Sequence, residues 1–146
     1  MKIEIWSDFV CPFCYMGERK LELALNDFAG KNEVEIEFRS FELSTSNADY
    51  IGKDIHQVIA DKYQISYEEA KANNERIVAA AAKVGLTYRF DILKPNTTRL
   101  AHEIFQYAKK QGKGNVVAHR FFKAYFEAGV DIGDKEALLS LLSDLD

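Results

Sequence analysis

The spacing of apolar and polar positions divides the chain into a short mixed start and a long helical remainder. Residues 3–9 set Ile3, Ile5 and Phe9 on one side of a two-residue period, which predicts a half-buried strand. From Pro12 the period lengthens. Cys14, Gly17, Leu21, Leu25 and Phe28 recur at steps of three and four, as one face of a helix requires, and Gly30 offers a stop. Val34, Ile36 and Phe38 then alternate with Glu33, Glu35, Glu37 and Arg39, giving a second strand with one wet face. A βαβ unit is the expected opening.

Beyond Phe41 the two-residue period fades and about five helices follow. One is predicted near Asp54 to Tyr63. Another begins at Ser66, with Glu69 three residues on as a capping box, and runs through Ile77, Val78, Ala81 and Val84 to Gly85. After Pro95, Asn96 or Thr97 is expected to cap a helix on which Leu100, Ala101, Ile104, Phe105 and Ala108 share a face before Gly112. Val117, Phe121, Ala124, Tyr125 and Ala128 align on the next, from about Asn115 to Ala128, with Gly129 ending it. Asp134 opens the last. No repeat or linker interrupts the series, so 1–45 is expected to form the βαβ portion and 46–146 a helical one.

Composition narrows the function. The 146 residues are 47% hydrophobic and 12% aromatic, enough for a sizeable core. A net charge of -4 without a basic run gives no reason to expect nucleic acid as a partner. No apolar run approaches a membrane span, and the N-terminus lacks a basic start before an apolar stretch, so the cytoplasm is the expected address.

The two cysteines, Cys11 and Cys14, lie in Cys11-Pro12-Phe13-Cys14, where the first strand gives way to the first helix. A disulfide between them closes too short a loop to restrain the unfolded chain much, so a structural staple is a poor explanation. Zinc needs more ligands, and His56, His102 and His119 are too scattered to supply a second pair at the usual spacing. Thiol–disulfide exchange fits the placement. It requires a thiolate, and Cys11 at a helix start would meet unpaired N–H groups and the positive end of the helix dipole, lowering its pKa. Pro12 suits the first turn. Cys14, one turn in, is expected to be more shielded. Cys11 is therefore expected to attack and Cys14 to resolve, with no metal or organic cofactor and with glutathione a candidate reductant.

The run Ser7-Asp8-Phe9-Val10-Cys11-Pro12-Phe13-Cys14-Tyr15-Met16-Gly17 resembles the active-site segment of DsbA-like thioredoxin-superfamily oxidoreductases, and within them the FrnE-type dithiol-disulfide isomerases. Asn96-Thr97, Ala101-His102 and the run from Ala124 to Ile132 extend the likeness over most of the chain. The resemblance implies an α/β fold: a thioredoxin-like βαβ half with an inserted α-helical domain and a substrate groove between the two. It implies a protein or small-molecule disulfide as substrate. Pro12, Phe13 and His102 become candidate substrate contacts, although a locally bonded histidine is the plainer account of His102. Asp8 could tune the thiolate, but a helix cap or a solvated carboxylate explains it more simply. The aromatics Phe121, Phe122, Tyr125 and Phe126 are expected in the core.

The strands, helix and cis-proline loop that close such a fold are not visible, so the residues are expected to belong to a longer polypeptide. The open edge of the first strand is expected to be covered by further residues, a homodimer partner or a strand swap. Two other functions stand beside the oxidoreductase. One is a glutathione-dependent isomerase or transferase of the lineage that includes the chromene-carboxylate isomerases, which generally carry serine where Cys11 stands. The other is a non-catalytic helical binding module with an idle redox pair.

Overall fold

The computed structural model describes residues 1–145; Asp146, at the end of the expected helical portion, lies outside them. Strand β1 spans Lys2–Ser7, helix α1 Pro12–Asn26 and strand β2 Glu35–Ser40, with β2 parallel to β1 and Ile5 beside Phe38. This is the predicted βαβ unit. β1 ends two residues earlier than its period suggests. Phe9 leaves the strand and becomes a core anchor instead, edge-on to Phe105, Phe121 and Phe122 at 5.3–5.7 Å.

In a parallel pair the backbone groups of alternate residues point away from the partner strand. On β2 these outward carbonyls are covered: Lys109 Nζ donates to Phe38 O at 3.0 Å and Asn115 Nδ2 to Ile36 O at 3.3 Å. Lys109 also pairs with Glu37, which Lys2 meets from β1. The far edge of β1 pairs with no other strand among the described residues, and Trp6 on it is exposed.

Five helices follow, α2 Ile55–Tyr63, α3 Tyr67–Ala82, α4 Arg99–Lys110, α5 Gly114–Ala128 and α6 Lys135–Ser140. Side-chain caps explain the starts of α2, α3 and α6. Asp54 accepts from Gln57 N, Asp134 from Glu136 N, and Ser66 with Glu69 forms the reciprocal box. Helix α4 departs from expectation, starting after Thr98 with no side-chain cap. Asn96 is occupied elsewhere: its Nδ2 donates to Asp131 Oδ1 and its Oδ1 accepts from Thr97 N.

Helix α5 is the spine. Val117, Ala118, Phe121, Phe122, Tyr125 and Phe126 are all buried along it. Tyr15 of α1 stacks on Phe122 at 5.3 Å, and residues of the βαβ and helical portions enter one apolar cluster. The face of α1 that its period selects is not its core face. Leu21 and Leu25 are half-buried and Phe28 is exposed, whereas Tyr15 and Met16 are buried. The reason is geometric: aromatic stacking on α5 and Tyr88 orients this helix.

Candidate functional site

Cys11 is the N-cap residue of α1, in extended backbone (φ -89, ψ 112), with Pro12 in the first turn. The Cys14 amide closes that turn onto Cys11 O at 3.1 Å, while Cys11 N donates back to Asp8 O at 3.1 Å. Tyr88 fixes the turn from the helical side, its hydroxyl donating to Pro12 O at 2.5 Å. Both sulfurs are free thiols and half-buried.

The pair shares its protons unequally. The Cys14 pKa falls from its ordinary value to about 6, first because the Cys11 thiol donates to its sulfur, with further help from the Asp8 backbone. Burial and the Asp8 carboxylate oppose that shift. Cys11 is raised well above the ordinary range, because ionising it forfeits the bond to Cys14, burial penalises its charge and the Cys14 anion repels it. The backbone N–H groups of Cys14 and Phe13 do favour a Cys11 anion, as the helix start predicts, but the neighbouring thiolate outweighs them. The shared thiol–thiolate hydrogen bond makes the pair's first ionisation easier and its second harder than that of free cysteine. The two groups titrate as one unit holding a single negative charge at neutral pH.

Beside the pair lies an apolar groove of about 590 Å³, walled by Cys11, Pro12 and Phe13, by Ile59 and Ile77 of α2 and α3, and by Phe126 of α5. Cys14 is not on its wall. The Asn74 amide, 2.9 Å from His56 Nδ1, ties α3 to α2 on the opposite side. Of the expected substrate contacts, Pro12 and Phe13 line the groove and Phe13 is 64% exposed.

His102 does not line it. The ring is buried, with Nε2 3.1 Å from Asp8 Oδ1 and Nδ1 2.9 Å from Ser40 Oγ, and it packs 4.6 Å from Phe9. A carboxylate accepts only, so Nε2 carries the ring proton and the Ser40 hydroxyl donates to Nδ1, itself accepting from Gln106 Nε2 at 2.7 Å. The expectation of a substrate contact is corrected: Asp8 and Ser40 draw the imidazole beneath the redox loop. Asp8, expected as a cap or a solvated carboxylate, is 1% exposed, and its other oxygen accepts from Leu43 N at 2.7 Å. Tyr125 lies in the core as expected, and its side chain also borders the groove. Its i+4 spacing from Phe121 carried only the core signal. Among the described residues no three His, Cys, Asp or Glu side chains gather as a metal site.

A strand turning at a Cys-Pro-x-Cys loop into a helix, beside a set of packed helices, is the arrangement of a thioredoxin-like fold carrying a helical insertion. Residues 2–146 match the family described as DSBA-like thioredoxin domain, and the chain belongs to that family. It is 32% identical over 144 residues to the uncharacterised protein YwbO of Bacillus subtilis (strain 168), covering 98% of this chain and 65% of that protein. The crystal structure of a probable DsbA oxidoreductase from Streptomyces coelicolor superposes with a TM-score of 0.90 at 33% identity, over all of this chain and 64% of the other. The chain therefore spans just under two thirds of the length of these relatives.

Proposed function

We propose that the chain is the redox-active portion of a thiol–disulfide oxidoreductase or isomerase in which Cys11 attacks and Cys14 resolves. The observation that carries this is the division of the two sulfurs: Cys11 borders the groove and Cys14 does not, while the pair holds one negative charge. The proton in the Cys11–Cys14 hydrogen bond needs only to cross to Cys14 for the groove-facing sulfur to become the nucleophile. Cys11 then displaces one thiolate from a substrate disulfide, which takes a proton from water, and a mixed disulfide remains. Attack by Cys14 on the Cys11 sulfur closes the internal disulfide and releases the second substrate thiol. The substrate gains two electrons and the pair loses two; an external dithiol restores it. Where a substrate thiol attacks the mixed disulfide instead, the outcome is isomerisation with no net electron transfer.

The open edge of β1 is proposed to be covered by a further strand, from additional residues or a second copy of the chain. The cytoplasm is the proposed place of action. Among the described residues no helix is long and apolar enough to cross a membrane.

The test is disulfide consumption by the reduced protein without glutathione. Wild type consumes one disulfide per chain and ends with the Cys11–Cys14 disulfide, Cys11→Ser does not react, and Cys14→Ser stops at one substrate adduct per chain by mass. Disulfide consumption that survives Cys11→Ser contradicts the assignment.

A further inference from the structure

The Cys-Pro-Phe-Cys turn is gripped by a side chain of the helical portion. Tyr88 lies between α3 and α4, in a segment strapped to the end of α5: Thr87 N donates to Glu127 Oε1 at 2.8 Å and Arg89 N to Phe126 O at 2.7 Å. Its ring, 3% exposed, stacks on Phe126 at 4.7 Å and on Tyr15 at 6.0 Å. These contacts aim the hydroxyl at Pro12 O, 2.5 Å away. Glu127, the carboxylate that bears on Tyr88, does not compete, because it is taken by Thr87 N and by the Tyr15 hydroxyl at 2.9 Å.

Pro12 O is one end of a peptide unit whose other end is the Phe13 N–H. Cys11 is the N-cap of α1, and an N-cap side chain faces the amides of the second and third helical residues, here Phe13 and Cys14. The neutral thiol makes no cap hydrogen bond, whereas both amides favour its anion. A donor on a peptide oxygen polarises that peptide and strengthens its N–H, by roughly 10–30% per bond. Because the peptide is planar, fixing the carbonyl also fixes where the N–H points. Burial, then the neighbouring Tyr15 and Cys11, push the Tyr88 pKa above the ordinary tyrosine value, so the hydroxyl goes on donating while Cys11 ionises. The ionisable groups bearing on these two side chains are Cys14, Tyr15 and Glu127.

We propose that Tyr88 is a positioning residue for the nucleophile: its hydroxyl holds and polarises the Pro12–Phe13 peptide, so that the Phe13 N–H stabilises a negative Cys11 sulfur. The helical portion thereby sets the reactivity of a sulfur carried by the βαβ unit. This rests on Cys11 being the attacking sulfur, but its ionisation can be followed by alkylation, without any disulfide.

The measurement is the pH dependence of iodoacetamide alkylation in Cys14→Ser, where Cys11 titrates alone. Adding Tyr88→Phe keeps the stacked ring and removes the donor. The Cys11 pKa should then rise by roughly 0.3–1 unit, a roughly 2- to 10-fold loss of thiolate below it, the worth of one hydrogen bond. Adding Tyr15→Phe instead removes a comparably buried hydroxyl that bonds Glu127 and not the turn, and should leave the Cys11 pKa within about 0.2 unit. With both tyrosines intact, the Phe13 amide proton should move downfield as Cys11 ionises, at the midpoint found by alkylation. The proposal is overturned if Tyr88→Phe leaves the Cys11 pKa unchanged, if Tyr15→Phe raises it as much, or if the Phe13 amide does not follow Cys11. A wild type that consumes no disulfide while these shifts hold would instead overturn the proposed function.

Discussion

Replacing Asp8 by alanine tests the polar hub beneath the redox loop. Its two oxygens accept from Leu43 N at 2.7 Å and His102 Nε2 at 3.1 Å, joining the loop after β2 and helix α4 to the turn that carries Cys11. Alanine leaves both donors without a partner, and each unpaired buried donor costs about 1–3 kcal/mol. Leu43 is itself exposed, so its amide regains some water and contributes at the low end. The imidazole, 5% exposed, does not. A loss of about 2–4 kcal/mol follows, read as a fall in the urea midpoint of the reduced protein at unchanged slope. Asn at the same place restores an oxygen for Leu43 and offers an N–H to the ring, which accepts it by moving its proton to Nδ1, so Asp8→Asn should cost only about 1 kcal/mol. The Asp8 charge also opposes ionisation of Cys14, so the same Asn variant should lower the pair's first pKa below about 6. An Asp8→Ala protein within about 0.5 kcal/mol of wild type, or an Asn variant whose thiolate forms at higher pH, would refute this account of the hub.

Phe122→Ala should cost about 3–5 kcal/mol in chemical denaturation, because it removes a fully buried ring stacked on Tyr15 and set edge-on to Phe9. Gly129→Ala should lower stability by about 1–3 kcal/mol in a thermal melt, since Gly129 has φ 65 and an added Cβ would lie 2.9 Å from Ile92 O. Stability of the reduced protein should rise as pH goes from about 6 to 9, because there the unfolded chain still holds the Cys14 proton that the fold has released. Three units correspond to about 4 kcal/mol, which solvent screening of half-exposed sulfurs reduces to about 1–2 kcal/mol. Above pH 9 the sign reverses, since Cys11 keeps a proton that the unfolded chain loses. The oxidised protein should show neither limb in pH-dependent urea melts.

The βαβ order and the helix starts were legible because they are local. Alternation at Ile3 and Ile5, the box at Ser66 and Glu69, and the caps at Asp54 and Asp134 each act within a few residues. What the sequence hid depends on distant partners. The core face of α1 is chosen by Phe122 and Tyr88, far along the chain from Tyr15, so the period of α1 alone pointed to Leu21 and Leu25. The position of Asp8 is set by His102, 94 residues away, whereas a helix cap or a solvated carboxylate was the simpler expectation for Asp8 and a locally bonded ring for His102. The Cys-Pro-Phe-Cys site was visible from spacing and placement. The coupling of the two sulfurs was not, because helix-start electrostatics had to be weighed against a thiol–thiolate hydrogen bond that the folded loop brings about.

The most direct test of a redox pair sharing one charge is thiolate absorbance of the fully reduced protein followed across pH. A step worth a single thiolate, centred near pH 6, with the second sulfur still protonated through about pH 10, is the expected trace. Two independent thiols titrating together near the free-cysteine value of about 8.5 would contradict it.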